Sequence, residues 1–249
     1  MTGSTTTGER AVVVGRDALG TVITTGDNND VRVTIIVADT SLLAQPRAFS
    51  ESTGPAFNPY RGLDAFRETD SRWFFGREKL ILRAWRMFQS LQRGNDPRFL
   101  PVIGASGSGK SSLVRAGLLP QLALQPMEGM ESPTVMVLRP RAAPIEQLAA
   151  VLASLPGATE DLERQLAMTG PDGSYSALHR IANTHPGKDR SRLVIFVDQL
   201  EELFTECEDA DAREAFLANL DFAASQPDRR VSVIFTLRSD FASVVHPPR

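Results

Sequence analysis

Eight residues constrain this chain more than any others: Gly104-Ala105-Ser106-Gly107-Ser108-Gly109-Lys110-Ser111, set between the apolar run Phe99 to Ile103 and an apolar-periodic stretch from Lys110 to Leu124. The spacing is that of a complete Walker A phosphate loop, which requires a strand leading in and a helix leading out. A nucleoside triphosphate presents several negative oxygens, and backbone N–H groups at a helix N-terminus can hold them at little cost. Gly104, Gly107 and Gly109 let the loop curl, Lys110 can reach the β- and γ-phosphates, and the Ser111 hydroxyl can ligate Mg²⁺. Ser106 and Ser108 belong to the same phosphate cradle, and Ser112 is a weaker candidate on the α-phosphate side. The competing reading is a Gly-Ser surface loop, and the strand-and-helix setting argues against it.

The surroundings predict an α/β fold. Helical spacing runs from Leu80 to Leu91, Ile145 to Leu155 and Ala212 to Ala224, with two further helices over 159–183 split by Gly170-Pro171-Asp172-Gly173. Phe99 to Ile103, Thr134 to Leu138 and the wholly apolar Leu193 to Val197 read as buried strands, and Val231 to Leu237 as a last strand. Strands alternating with helices call for a mostly parallel sheet covered on both faces, the three-layer sandwich of P-loop NTPases. Before it, Ala11 to Val14, Thr21 to Thr25 and Val31 to Val37 are β-branched runs separated by Gly- or Asn-containing turns, a small hairpin or meander. The expected organisation is a β-rich segment over 1–43, a Pro-interrupted linker over 44–58 and the NTPase core over 59–249.

Two further segments carry chemistry. Leu193 to Val197 ends at Asp198, and an aspartate just past a buried strand can face a metal ion at the carboxyl edge of the sheet, as in a Walker B strand. Glu201 and Glu202 follow, and either could polarise an attacking water; both could instead serve only the N-terminus of a following helix. The last strand ends in Thr236-Leu237-Arg238, which puts a hydroxyl and a cation at the same edge, where they could sense or stabilise a γ-phosphate. Asp240 offers Arg238 a plain local ion pair as the alternative.

Taken together, Asn58 to Phe66, Trp73-Phe74-Phe75-Gly76-Arg77-Glu78, the phosphate loop, Val197 to Thr205 and Thr236 to Phe241 resemble the bacterial novel STAND NTPases over roughly Asn58 to Phe241. These are signal-transduction ATPases that typically switch between a closed ADP form and an ATP-bound oligomer. The resemblance implies ATP or ADP with Mg²⁺ as cofactors, ATP hydrolysis or sensing that controls assembly, and protein partners or self-assembly. It further implies that Gly76 and Arg77 border the adenine and ribose, that Thr236 and Arg238 form the sensor, and that Glu202 is the water-activating residue. In that family the sheet continues into another strand, a helical lid and often a repeat array. The chain is therefore expected to be truncated after the sensor strand, and a non-catalytic nucleotide- or partner-binding module is the alternative function. A small-molecule kinase finds no acceptor or lid signal.

Composition narrows the rest. An apolar fraction of 42% suffices for a packed core, and a net charge of -3 gives no general drive toward nucleic acid or anionic membrane. Cys207 is the single cysteine, which excludes an intramolecular disulfide and suits a reducing compartment, so a cytoplasmic location is expected. No apolar run reaches membrane-spanning length, and no secretory leader pattern opens the chain. His179, His185 and His246 lack partners at metal-ligand spacing. Trp73, Phe74 and Phe75 read as a hydrophobic plug against the sheet, and Glu206, Glu208, Asp209 and Asp211 as a solvated helix entrance.

Overall fold

The computed structural model describes the backbone of residues 12–17, 20–25 and 31–37, and residues 64–125, 127, 133–155, 158–184 and 192–242. The expected linker, His185 and His246 lie outside the described residues. Strands β1 (Val12–Asp17), β2 (Gly20–Thr25) and β3 (Val31–Val37) form the antiparallel meander that the β-branched runs predict. Strands β4 (Phe99–Gly104), β5 (Thr134–Leu138), β6 (Leu193–Val197) and β7 (Val231–Arg238) are parallel to one another. The sheet order is β1-β2-β3-β5-β6-β7-β4, so β3 extends the parallel strands beyond β5, and the phosphate-loop strand β4 lies at the other end.

Every residue of β5 and β6 is buried, because these runs have no polar alternation and must be covered on both faces. The period of two then divides the core. Val135, Val137, Val194, Phe196 and Ile234 face one cluster with Trp85, Phe88 and Leu118. Met136, Leu138, Ile195, Val197, Val233 and Leu237 face the other with Leu148, Leu178 and Phe216. The first cover is α1 (Glu78–Arg93) with the helix leaving the phosphate loop; the second is built from α4 (Pro144–Leu152), α5 (Leu162–Ala167), α6 (Ala177–Thr184) and α8 (Ala210–Ser225). Asn219, fully buried in α8, donates to the Leu166 carbonyl and accepts from the Leu178 N–H, which ties α5 and α6 to it. The short α7 (Glu202–Thr205) follows β6.

The stretch expected as one helix from Lys110 to Leu124 is continuous but not uniform. It begins as α2 (Lys110–Ser112), widens into a π-helical turn over Leu113–Leu118 and closes as α3 (Leu119–Leu124). Pro120 accounts for the widening, since its ring meets the carbonyl of the preceding turn and it has no N–H to continue the ladder. Gly117 sits in that turn where a Cβ would lie 2.7 Å from Ile81 Cγ1, so the missing side chain lets α1 approach.

The segment before α1 is latched to this helix rather than to the sheet. The 3₁₀ turn Glu68–Trp73 carries Glu68, whose carboxylate accepts from Arg115 Nε at 2.9 Å and from its Nη2 at 3.2 Å, both side chains buried. The Phe66 N–H donates to Ser112 Oγ at 3.0 Å. The plug expected of Trp73, Phe74 and Phe75 is corrected accordingly. Phe74 packs on Phe66, near Gly117, whereas Phe75 is 74% exposed, and the segment is held by the buried ion pair rather than by all three rings. Glu68→Ala leaves Arg115 buried without its carboxylate and is expected to lower stability by about 3–5 kcal/mol. Replacing both partners by methionine should recover most of that loss in urea denaturation.

Candidate functional site

The register carries the motif residues to one edge. Gly104 lies opposite Arg238, Val197 opposite Phe235, and Leu138 opposite Val197, so the residues that follow β4, β5, β6 and β7 emerge side by side at their carboxyl ends. Connections leaving β4 run over one face and those leaving β6 over the other, the arrangement that in open α/β sheets sets the ligand crevice at the carboxyl edge.

Asp198 is the centre of the site. It is 1% exposed, its N–H donates to the Leu138 carbonyl at 2.8 Å, and its Oδ1 accepts from Ser111 Oγ at 2.6 Å and from Thr236 Oγ1 at 2.7 Å. Arg139 Nη2 lies 3.5 Å from Oδ2. Thus the phosphate loop, the acidic strand and the last strand meet at one carboxylate oxygen, across sequence separations of 87 and 38 residues.

The loop has the backbone its glycines predict. Gly107 and Gly109 adopt φ of +71° and +85°, conformations that side chains resist, and Gly109 forms the entry to α2. A Cβ on Gly104 would lie 3.0 Å from Ser108 Oγ. Ser106 and Ser108 are exposed on the loop, and the Ser108 N–H donates to the Ala105 carbonyl at 3.2 Å. Lys110 folds back over the loop and donates from Nζ to the Gly104 and Ala105 carbonyls at 3.0 and 2.9 Å. The first N–H groups of α2 have no intrahelical acceptors and form the positive end of the helix. Ser112 is turned away, buried with its hydroxyl accepting from Phe66.

The two glutamates separate. Glu201 is buried and accepts from the Arg238 N–H at 3.2 Å, so it fastens the turn after β6 to the end of β7. Glu202, at the start of α7, leaves Oε2 buried with no hydrogen-bond partner. Burial pushes its carboxyl up to about 7, and the nearby acids Glu206 and Asp198 add to the rise while Arg139 and Arg141 oppose it. Arg238 ion-pairs with Asp240 at 2.6 Å on the surface, and Asp240 is held below the usual carboxylate range first by that hydrogen bond and, more weakly, by the charge of Lys110. The exposed pair adds little to stability. Arg238 therefore makes the local pair and still stands at the carboxyl edge.

Gly76 and Arg77 lie at the entry to α1, Gly76 with φ of +81° and its N–H donating to Glu78 Oε1, Arg77 exposed. No hydrogen bond or ion pair among the described residues joins either to the phosphate loop. Residue reasoning had not singled out Arg139 or Gln199. Gln199 has a φ of 57° and donates its N–H to Thr236 Oγ1 at 2.7 Å. The signal available was position alone, Arg139 lying one place and Gln199 two places beyond a strand end.

Mg²⁺ takes oxygen ligands, keeps several waters and needs few protein groups when phosphates are present. The Ser111 hydroxyl and the Asp198 carboxylate, already in contact, fit that ion, and no cluster of three or more His, Cys, Asp or Glu among the described residues offers another metal site. A cavity of about 440 Å³ between α5 and α6, lined by Arg164, Met168 and Arg180 among others, contains none of these residues.

A parallel sheet that brings the Gly104–Ser111 loop and Asp198 to one edge, with β7 between their strands, has the architecture of a P-loop NTPase. The chain belongs to the Novel STAND NTPase 1 family, whose profile matches residues 59–248, and so carries an NTPase-type domain. No curated protein matches it. No helix among the described residues is long and apolar enough to cross a membrane.

Proposed function

We propose that the domain binds Mg-ATP at the loop of Gly104 to Ser111, hydrolyses its γ-phosphate, and uses the nucleotide state to control assembly with protein partners in the cytoplasm. The observation that carries this reading is the meeting of Ser111, Asp198 and Thr236 at one carboxylate oxygen. It pre-sets a magnesium position beside the loop, with the second hydroxyl fixing the carboxylate's orientation. Bound there, the ion would neutralise phosphate charge and act as a Lewis acid.

The chain's own groups supply the remaining steps. Lys110 exchanges two backbone carbonyls for the β- and γ-phosphate oxygens, which are stronger partners for an ammonium. Glu202 takes a proton from water as its oxygen attacks Pγ, the bond from Pγ to the bridging oxygen breaks, and ADP and phosphate result. Arg238 meets charge on the γ-phosphate after leaving Asp240, an exchange made easy by the exposure of that pair. Glu201 couples the sensor to the acidic turn through the Arg238 N–H.

Calorimetric titration of the purified chain with ATP, with and without Mg²⁺, tests the reading. Saturable binding that weakens without the ion, together with steady phosphate release, is the expected result. Absence of binding at millimolar nucleotide rejects it.

A further inference from the structure

Three buried side-chain atoms near Asp198 have no hydrogen-bond partner among the described residues: Arg139 Nε, Gln199 Oε1 and Glu202 Oε2. Such orphans are uncommon in folded proteins and call for an explanation. All three belong to residues grouped around that carboxylate. Arg139 follows β5 and lies 3.5 Å from the Asp198 carboxylate, Gln199 is the next residue in the chain, and Glu202 feels the charges of both Arg139 and Asp198.

The chemistry of the three atoms is complementary. One is an N–H donor and two are acceptors, whereas water offers two O–H donors and two lone pairs. A single water that donates to Gln199 Oε1 and Glu202 Oε2 and accepts from Arg139 Nε would satisfy all three. One lone pair would remain for Pγ.

Gln199 also has the backbone of a positioned residue. Its φ of 57° is unfavourable for a side chain of this kind, and it is held there by its N–H on Thr236 Oγ1 and by the next N–H, that of Leu200, on the Thr236 carbonyl at 2.9 Å. Strain maintained by surrounding bonds is characteristic of functional sites.

We propose that Gln199 and Arg139, with Glu202, form the pocket that holds and orients the attacking water. This rests on the hydrolytic reading of the site. Gln199 and Glu202 aim the O–H bonds away from Pγ, Glu202 takes the proton, and Arg139 fixes the oxygen. The oxygen then bonds to Pγ as the bond to the bridging oxygen breaks.

The test uses Gln199→Met, which keeps the shape and loses the acceptor, and Arg139→Lys, which keeps the charge and loses Nε. Binding of Mg-ATP, Mg-ADP, and Mg-ADP with aluminium fluoride is measured for each by calorimetry, alongside phosphate release and the melting temperature. Aluminium fluoride mimics the planar phosphoryl group and engages the attacking water, so wild type should bind Mg-ADP at least about tenfold tighter in its presence. Each variant should bind Mg-ATP within about threefold of wild type, lose that tenfold gain, and release phosphate about a hundredfold more slowly. The double variant should be little slower than either single one, since both act on the same water. Gln199→Glu keeps an acceptor oxygen and should retain the gain, which separates loss of the acceptor from damage to the strained turn.

Variants that retain both the gain and the turnover overturn this inference while leaving the hydrolytic reading intact. So does a wild type that binds Mg-ATP but shows no gain, or an equal loss of Mg-ATP affinity in the variants. A wild type that fails to bind Mg-ATP overturns the hydrolytic reading, and this inference with it.

Discussion

Lys110→Ala is expected to weaken Mg-ATP binding by about thirtyfold to several-thousandfold while leaving the fold intact. The magnitude follows from removing one member of a close charged pair, which costs about 2–5 kcal/mol. The selectivity follows from what the lysine does in the free chain. Its ammonium donates only to the Gly104 and Ala105 carbonyls of its own loop, partly exposed positions where water can replace it. Losing those two bonds also releases a long, rotamer-rich side chain, so the stability change should stay within about 0.5 kcal/mol. Calorimetry gives the affinity, and thermal melting gives an independent reading. At a nucleotide concentration about 100 times the wild-type Kd, wild type should gain about 2.7 kcal/mol of stability, and the variant at most about 0.9 kcal/mol at the same concentration. Equal affinity in the two proteins would remove the loop from the binding site.

Much of the fold was legible because its signals are local. β5 and β6 are wholly buried and apolar but for Thr134, the pattern of strands covered on both faces. The breaker Gly170 to Gly173 separates α5 from α6 because Gly173, at φ of +77°, takes a conformation that helices do not use. Asp209 caps α8 by accepting from the N–H groups of Asp211 and Ala212, as an acidic helix entrance predicts. What escaped notice depends on pairing across the chain. The parallel match of β3 with β5 leaves no mark in either run, since a β-branched strand is suited to many neighbours. The latch that holds the segment before α1 has no local signal either, since the Glu68–Arg115 pair joins residues 47 apart.

The site divides in the same way. The loop from Gly104 to Ser111 is contiguous and carries its own geometry, and Asp198 follows the end of β6, so these parts of the proposed site rest on local signals. Glu201 and Glu202 are adjacent and chemically alike, and only the partner distinguishes them. One accepts from the Arg238 N–H, while the other keeps a buried oxygen open. Ser112 is next to Ser111 in the chain, yet its hydroxyl accepts from the Phe66 N–H, a contact across 46 residues that no local signal announces. Arg139 belongs to no loop motif at all, and its relation to Asp198 exists only because Leu138 and Val197 are register partners.

That division between the two glutamates sets up the second large effect. Glu202→Gln should reduce phosphate release by about a hundredfold to ten-thousandfold with Mg-ATP affinity nearly unchanged, the range expected when a general base is removed. Its pH dependence gives a sharper measurement. In the nucleotide-free chain burial raises this carboxyl to about 7, so below that pH it holds its proton and cannot accept one from water. Wild-type kcat/KM should therefore fall about tenfold per pH unit on the acid side of 7, and the glutamine variant should lack that limb. Stability should move in the opposite direction. The folded-state value lies above the unfolded one of 4.5, so the folded chain binds the proton more tightly, and wild type loses stability as pH rises from about 4.5 through 7. Glutamine does not titrate. The variant should thus be close to wild type at pH 4.5 and increasingly more stable toward pH 8, as measured by urea denaturation at each pH. A variant that is slower but shows the same pH limb would point to another base. A variant as fast as wild type would leave Glu202 with no part in proton transfer. Gain of stability with loss of turnover is the combination expected of a carboxylate kept partly desolvated for its chemistry.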